Sequence, residues 1–197
     1  LHSNESADAY TIGNSNLTPS DAFRFARGEE VISENGVRAK LRVPLDFLLV
    51  SDHATFLGMF KRIEERDPKI LKTPLGKRWR KYMDNDDPTL FTEFVDGLNG
   101  NLDETFSKED YEPIWKEITE NVDKFNQPGV FTALIGYEWT PAPTGDNLHR
   151  VVVFKDDAKL AQKIIPFSAI DSNKPEDLWN FLKDYNSSTG GEAISIS

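Results

Sequence analysis

The chain has 197 residues, of which 38% are hydrophobic and 28% charged, and its formal net charge is −10. This balance excludes disorder, and no apolar run is long enough to span a bilayer. A chain this acidic lacks the basic face that a nucleic-acid backbone requires. The absence of cysteine excludes disulfides, zinc–thiolate sites and cysteine nucleophiles, and it leaves the redox compartment open: cytoplasmic, periplasmic or secreted.

Residues 1–16 are polar and rich in small side chains, as a loop is. Thr18-Pro19-Ser20-Asp21 opens a helix, with threonine to cap, proline in the first turn and an acid near the positive end. Its apolar residues are Ala22, Phe23, Phe25 and Ala26, and Gly28 ends it. Asn35-Gly36 marks a turn of hairpin type. Residues 45–53 form a short apolar run ending in Ser51-Asp52-His53, which predicts a buried strand whose carboxyl end projects into a crevice.

A helical excursion follows over residues 54–128. Leu57, Phe60 and Ile63 fit one short amphipathic segment. Asp87-Pro88 opens a second, with Leu90, Phe91, Phe94, Val95 and Leu98 at helical spacing. A third begins near Ser107 and aligns Tyr111, Ile114, Trp115, Ile118, Val122 and Phe125. Lys72, Lys77, Arg78, Arg80 and Lys81 form a basic run, read as a solvated face, with a flap for an anionic substrate as the alternative.

Residues 130–136 predict a second buried strand, running into Tyr137-Glu138-Trp139-Thr140. A loop with proline and glycine then leads to Asp146-Asn147-Leu148-His149-Arg150 and a third strand over 151–154. Lys174-Pro175-Glu176 opens a last helix bearing Leu178, Trp179, Phe181, Leu182 and Tyr185, and residues 192–197 alternate as a strand does. Strands separated by helices predict an α/β fold with a parallel sheet, in one domain over residues 1–197. The start at Leu1-His2 and the unfinished final strand are read as the ends of an internal piece, truncated on both sides.

The chain has three histidines, and all of them fall at segment ends rather than on helix faces. His2 and Asp8 lie in the first loop, His53 follows one strand, Glu138 sits late in the next, and His149 precedes the third. Imidazole and carboxylate are ordinary ligands of zinc, manganese and iron. In a parallel sheet His53 and Glu138 share a pole, whereas His149 reaches it only if its loop folds over or its strand runs antiparallel. Singly, each residue also reads as a solvated or hydrogen-bonded side chain. Asp52 reads as a cap for the following turn, and Arg150 either as a phosphate grip or as the partner of a surface acid.

Several blocks, in order, resemble one family. Leu1-His2 with Asp8-Ala9-Tyr10, Thr18-Pro19, the segment from Ala22 to Glu29, Leu45-Asp46-Phe47, Ser51-Asp52-His53-Ala54, Gly136-Tyr137-Glu138-Trp139-Thr140 and Asn147-Leu148-His149-Arg150 are similar to a bacterial domain-of-unknown-function family of the PHP (polymerase and histidinol phosphatase) superfamily. That family opens on two histidines one residue apart, and His2 aligns with the second. The resemblance implies a distorted α/β barrel related to the TIM barrel, seen here as a fragment. It also implies two or three divalent ions (zinc, manganese or iron) held by His2, Asp8, His53, Glu138 and His149, with Glu138 a bridge.

The expected function is metal-dependent hydrolysis of a phosphoester by activated water, on a small anionic substrate that Arg150 grips. The alternatives are hydrolysis of another bond type and a catalytically silent binding module on the same fold. The sequence leaves the oligomeric state open.

Overall fold

The computed structural model describes residues 1–197, the side chain of Thr144 excepted. A one-turn helix, α1 (Ala7–Thr11), interrupts the first loop. Helix α2 (Pro19–Ala26) starts at a capping box in which Thr18 and Asp21 satisfy each other's backbone N–H groups. Strands β1 (Val31–Ile32) and β2 (Arg38–Ala39) form the hairpin expected around Asn35-Gly36, with Gly36 at φ +76°. Strand β3 (Phe47–Leu49) is shorter than residues 45–53 suggested, and Phe47 is exposed because β3 lies at a sheet edge.

The excursion contains α3 (Met59–Glu64), α4 (Pro74–Asp84), α5 (Thr89–Leu98) and α6 (Lys108–Phe125). A Ser107–Asp110 capping box opens α6. Pro113 has no N–H to give the carbonyl of Glu109, and the ammonium of Lys69 donates to that oxygen instead. Helix α4 spans much of the basic run, whose charges concealed its apolar positions. Within it Leu75 and Trp79 are buried, and Trp79 packs against Phe56, Phe60 and Phe106 while its indole N–H meets Glu93 at 2.7 Å. Arg78 is engaged by Glu93 and Glu104, and Arg80 by Asp84. Both arginines of the run thus pair with acids of the same helical excursion.

The chain continues through β4 (Thr132–Trp139), β5 (Arg150–Phe154), α7 (Ala158–Ala161), α8 (Pro175–Thr189) and β6 (Ala193–Ile196). Gly190, at φ +74°, ends α8 in the left-handed conformation. The main sheet has the order β3-β4-β5-β6. Only β3 and β4 are parallel; β4–β5 and β5–β6 are antiparallel, so the expected all-parallel sheet is corrected to a mixed one. The cause is the connection after β4: residues 140–149 hold a single 3₁₀ turn and no crossover helix, so the chain can only fold back beside itself. The fold is mixed α/β, and among the described residues the sheet stays open instead of closing into a barrel.

Register divides the sheet into two faces. Ala133, Ile135, Tyr137 and Trp139 of β4, with Val152 and Phe154 of β5, are buried. Trp115 of α6 and Tyr185 of α8 cover this face through contacts with Tyr137 and Phe154. The opposite face carries Leu49, Leu134, Gly136, Glu138, Val151, Val153, Ile194 and Ile196, and both isoleucines are exposed. Not every apolar residue of these helices is buried: Phe91 of α5 and Trp179 of α8 face solvent.

Candidate metal centre

The mixed topology gathers three chain segments at one end of the sheet. Because β3 and β4 are parallel, the chain leaving β3 runs on alongside β4, and His53 bridges to Glu138. Two backbone bonds fix that register, Glu138 N–H to the Asp52 carbonyl at 2.9 Å and Ala54 N–H to the Glu138 carbonyl at 2.8 Å. Because β5 is antiparallel, its first residue, Arg150, lies opposite Trp139, which puts His149 at the same pole. The antiparallel strand thus removes the geometric obstacle that a parallel sheet posed for His149.

The first loop is tied to the strand end by Asp52, not free beside it. Its carboxylate accepts the Ser3 hydroxyl at 2.7 Å and the Ser3 N–H, while Ser51 N–H donates to the Leu1 carbonyl at 2.8 Å. Asp52 is therefore a clamp on the first loop and not a cap for the following turn. Burial pushes its carboxyl up to about 6, against the Ser3 hydrogen bonds and the charge of His2, which favour ionisation. The clamp holds His2 between the loop and the sheet.

All five expected ligands meet there. His2 Nδ1 lies 3.0 Å from Asp8 Oδ2, and His2 Nε2 lies 2.9 Å from Glu138 Oε2. His53 Nε2 is 3.3 Å from Asp8 Oδ2, and its Nδ1 is 3.4 Å from Glu138 Oε2. His149 Nδ1 addresses the other oxygen, Glu138 Oε1, at 2.8 Å. The rings of His2 and His53 stand edge to face at 4.6 Å. His53 and Glu138 form a buried floor, and the side chains of Asp8 and His149, 38% and 58% exposed, form the open side.

The electrostatics follow from the crowding. Burial works against a charged His2, but Asp8 and Glu138 outweigh it and lift His2 to about 9. Burial likewise opposes ionisation of Glu138, yet His2, His53 and His149 hold it down to about 2. Asp8 is held far below the usual carboxylate range, against its burial, by His2, His53 and Ser6. Two buried atoms remain without a hydrogen bond, His53 Nδ1 and Glu138 Oε2. Glu138 Oε2 is near both imidazoles but out of line for a hydrogen bond to either. One ligand atom from each of His2, His53 and Glu138 lies within 4.8 Å of the other two. Orphaned nitrogen and oxygen atoms 3.4 Å apart, beside a second imidazole, suit a divalent cation.

Arg150 stands beside this group. Its Nη1 donates to the carbonyl of His149 at 2.7 Å rather than to a surface acid, so the ion-pair alternative is not realised among the described residues. Ser6 was not anticipated. Its fully buried hydroxyl donates to Asp8 Oδ1 at 2.6 Å, accepts the His53 N–H at 3.1 Å and lies 3.4 Å from His2 Nδ1. A serine in a small-residue loop gives no sequence signal of that kind; only its place between His2 and Asp8 hints at it.

Fold and site together define a mixed α/β protein with an imidazole–carboxylate centre at one pole of its sheet. The chain belongs to the family described as Protein of unknown function (DUF3604), whose model matches residues 1–197. No curated protein and no solved structure matches the chain.

Proposed function

We propose that the protein is a metal-dependent hydrolase of the PHP type, acting on phosphoesters, with His2, Asp8, His53, Glu138 and His149 holding two or three divalent ions. The observation that carries this reading is the convergence of the two orphaned atoms, His53 Nδ1 and Glu138 Oε2, with His2 Nε2 close by. Glu138 supports a bridging role, because one of its oxygens faces His2 and His53 while the other faces His149. Bound divalent ions supply Lewis acidity and activate water.

The chain's own side chains account for the rest. Asp8 and His149, on the open side, line the approach from solvent, and the buried His53 and Glu138 exclude water from behind. Arg150 spends one donor on its neighbour's carbonyl and keeps a planar, permanently charged group suited to a phosphate oxygen. The PHP reading also takes the open sheet as one wall of a distorted barrel. The exposed Ile194 and Ile196, on a face where Leu49, Leu134, Val151 and Val153 are only half-buried, support that, since such a face normally lies against further structure.

Elemental analysis of the purified protein tests the proposal together with phosphomonoester hydrolysis before and after chelation. Stoichiometric transition metal, loss of hydrolysis on chelation and recovery with manganese or zinc are expected. A protein that holds no metal, or a rate that chelation leaves unchanged, rejects it; the metal-free outcome points to the silent binding module.

A further inference from the structure

Between the proposed ligands His2 and Asp8 every residue is buried. Ser3, Asn4, Glu5, Ser6 and Ala7 are at most 4% exposed, and all but Ala7 are polar. Burying polar groups in an irregular segment costs free energy unless they find partners. Ser3 has Asp52, Ser6 has Asp8 and the His53 N–H, and Asn4 Nδ2 donates to the Ser15 carbonyl at 3.0 Å. Glu5 is the costliest of them, because it brings a charge into the interior.

Helix α3 supplies the countercharge. Lys61 Nζ donates to Glu5 Oε1, and the two side chains are 14% and 3% exposed. The Glu5 carbonyl accepts the N–H of Gly58, the N-cap of α3, at 2.7 Å, so backbone and side chain are both fixed to that helix. Met59, Phe60 and Ile63 in turn set α3 in the core. The Glu5 N–H donates to Ser3 Oγ at 3.2 Å, which joins this anchor to the Asp52 clamp. Burial works against the neighbouring Arg62 cation, and the charges of Glu5, Glu117 and Glu65 outweigh it.

Apolar residues of similar volume in place of a buried ion pair are often neutral or stabilising, so stability does not account for the pair. What a charge-assisted hydrogen bond adds is direction. Direction matters here, because His2 lies three residues before Glu5, Asp8 three residues after it, and the two meet at 3.0 Å. We infer that Glu5 and Lys61 are positioning residues of the centre: their pair seats the first loop on α3 so that His2 and Asp8 reach Glu138 and His53 together. The inference rests on the metal-dependent reading proposed above, and it adds two residues that are not themselves ligands.

The double variant Glu5→Met/Lys61→Met tests it by removing both charges at similar volume. Its urea midpoint is expected to match or exceed the parent's, while calorimetric dissociation constants for manganese and zinc rise about tenfold at unchanged stoichiometry. Hydrogen exchange of the metal-free proteins is the second readout. Protection should fall at the amides of Asn4, Ser6 and Tyr10, which bond the carbonyls of Leu17, Ser3 and Ser6, and persist in α6 and β4. Where the double variant fails to fold, Glu5→Gln, which keeps the shape and loses the charge, carries the same two readouts. Either readout unchanged in a folded variant, or protection lost evenly across the loop, α6 and β4, overturns the inference. A parent that binds metal while the variant matches it removes the inference alone; a parent that binds neither metal removes the metal-dependent reading as well.

Discussion

Replacing Ser6 with alanine isolates the support of the proposed metal centre from its proposed ligands. The fully buried hydroxyl accepts the His53 N–H at 3.1 Å and donates to Asp8 Oδ1 at 2.6 Å. Its loss orphans a buried N–H, at about 1–3 kcal/mol, and removes a hydrogen bond to a charged acceptor, normally worth about 1.5–3 kcal/mol. The second contribution falls at the low end, because Asp8 is partly exposed and its oxygens also meet His2 and His53. A loss of about 2–4 kcal/mol in unfolding free energy is therefore expected by urea titration of the metal-free protein. Metal affinity should drop about 10–100-fold while stoichiometry is kept, since the ligands remain and only their orientation loosens. Ser6→Ala with both the unfolding midpoint and the metal affinity of the parent would show that the hydroxyl orients nothing.

Further outcomes follow from the same geometry. In the metal-free protein the His2 imidazole should titrate by NMR near 9, and a midpoint at or below 6.5 would contradict its pairing with Asp8 and Glu138. Because folding raises that pKa, the stabilisation is complete below about 6.5 and disappears as pH rises through 9; it amounts to ~3 kcal/mol. Gly136→Ala should destabilise by about 3 kcal/mol or more in a thermal melt, as a Cβ there would sit 2.2 Å from the Val152 carbonyl oxygen and 2.6 Å from Leu49. Unchanged melting of that variant would mean that β4 and β5 lie further apart. Arg150→Ala should raise KM for a phosphoester about tenfold or more without altering metal content, and a parallel loss of metal would mark Arg150 as part of the ligand scaffold.

Much of this protein is written locally. The capping boxes Thr18/Asp21 and Ser107/Asp110 set two helix starts, and the apolar spacing from Tyr111 to Phe125 defines the face of α6 that the structure buries. Asn35-Gly36 determines the hairpin because the turn needs a residue tolerant of positive φ. Such features depend on a few adjacent residues, whereas His2, His53, Glu138 and His149 were singled out as candidates through the resemblance of the blocks around them to a known family. Helix α4 was illegible because its charges outnumber the apolar positions Leu75 and Trp79, which make sense only once Phe56, Phe60 and Phe106 surround the indole. Strand direction was undetermined as well, since an apolar run pairs either way and only the short connection after β4 forces β5 to return antiparallel. That return is what carries His149 to Glu138. The sequence thus named the side chains, whereas their meeting was decided by tertiary contacts between residues far apart in the chain: 49 positions for Ser3 and Asp52, 47 for Ser6 and His53, 85 for His53 and Glu138, and 136 for His2 and Glu138.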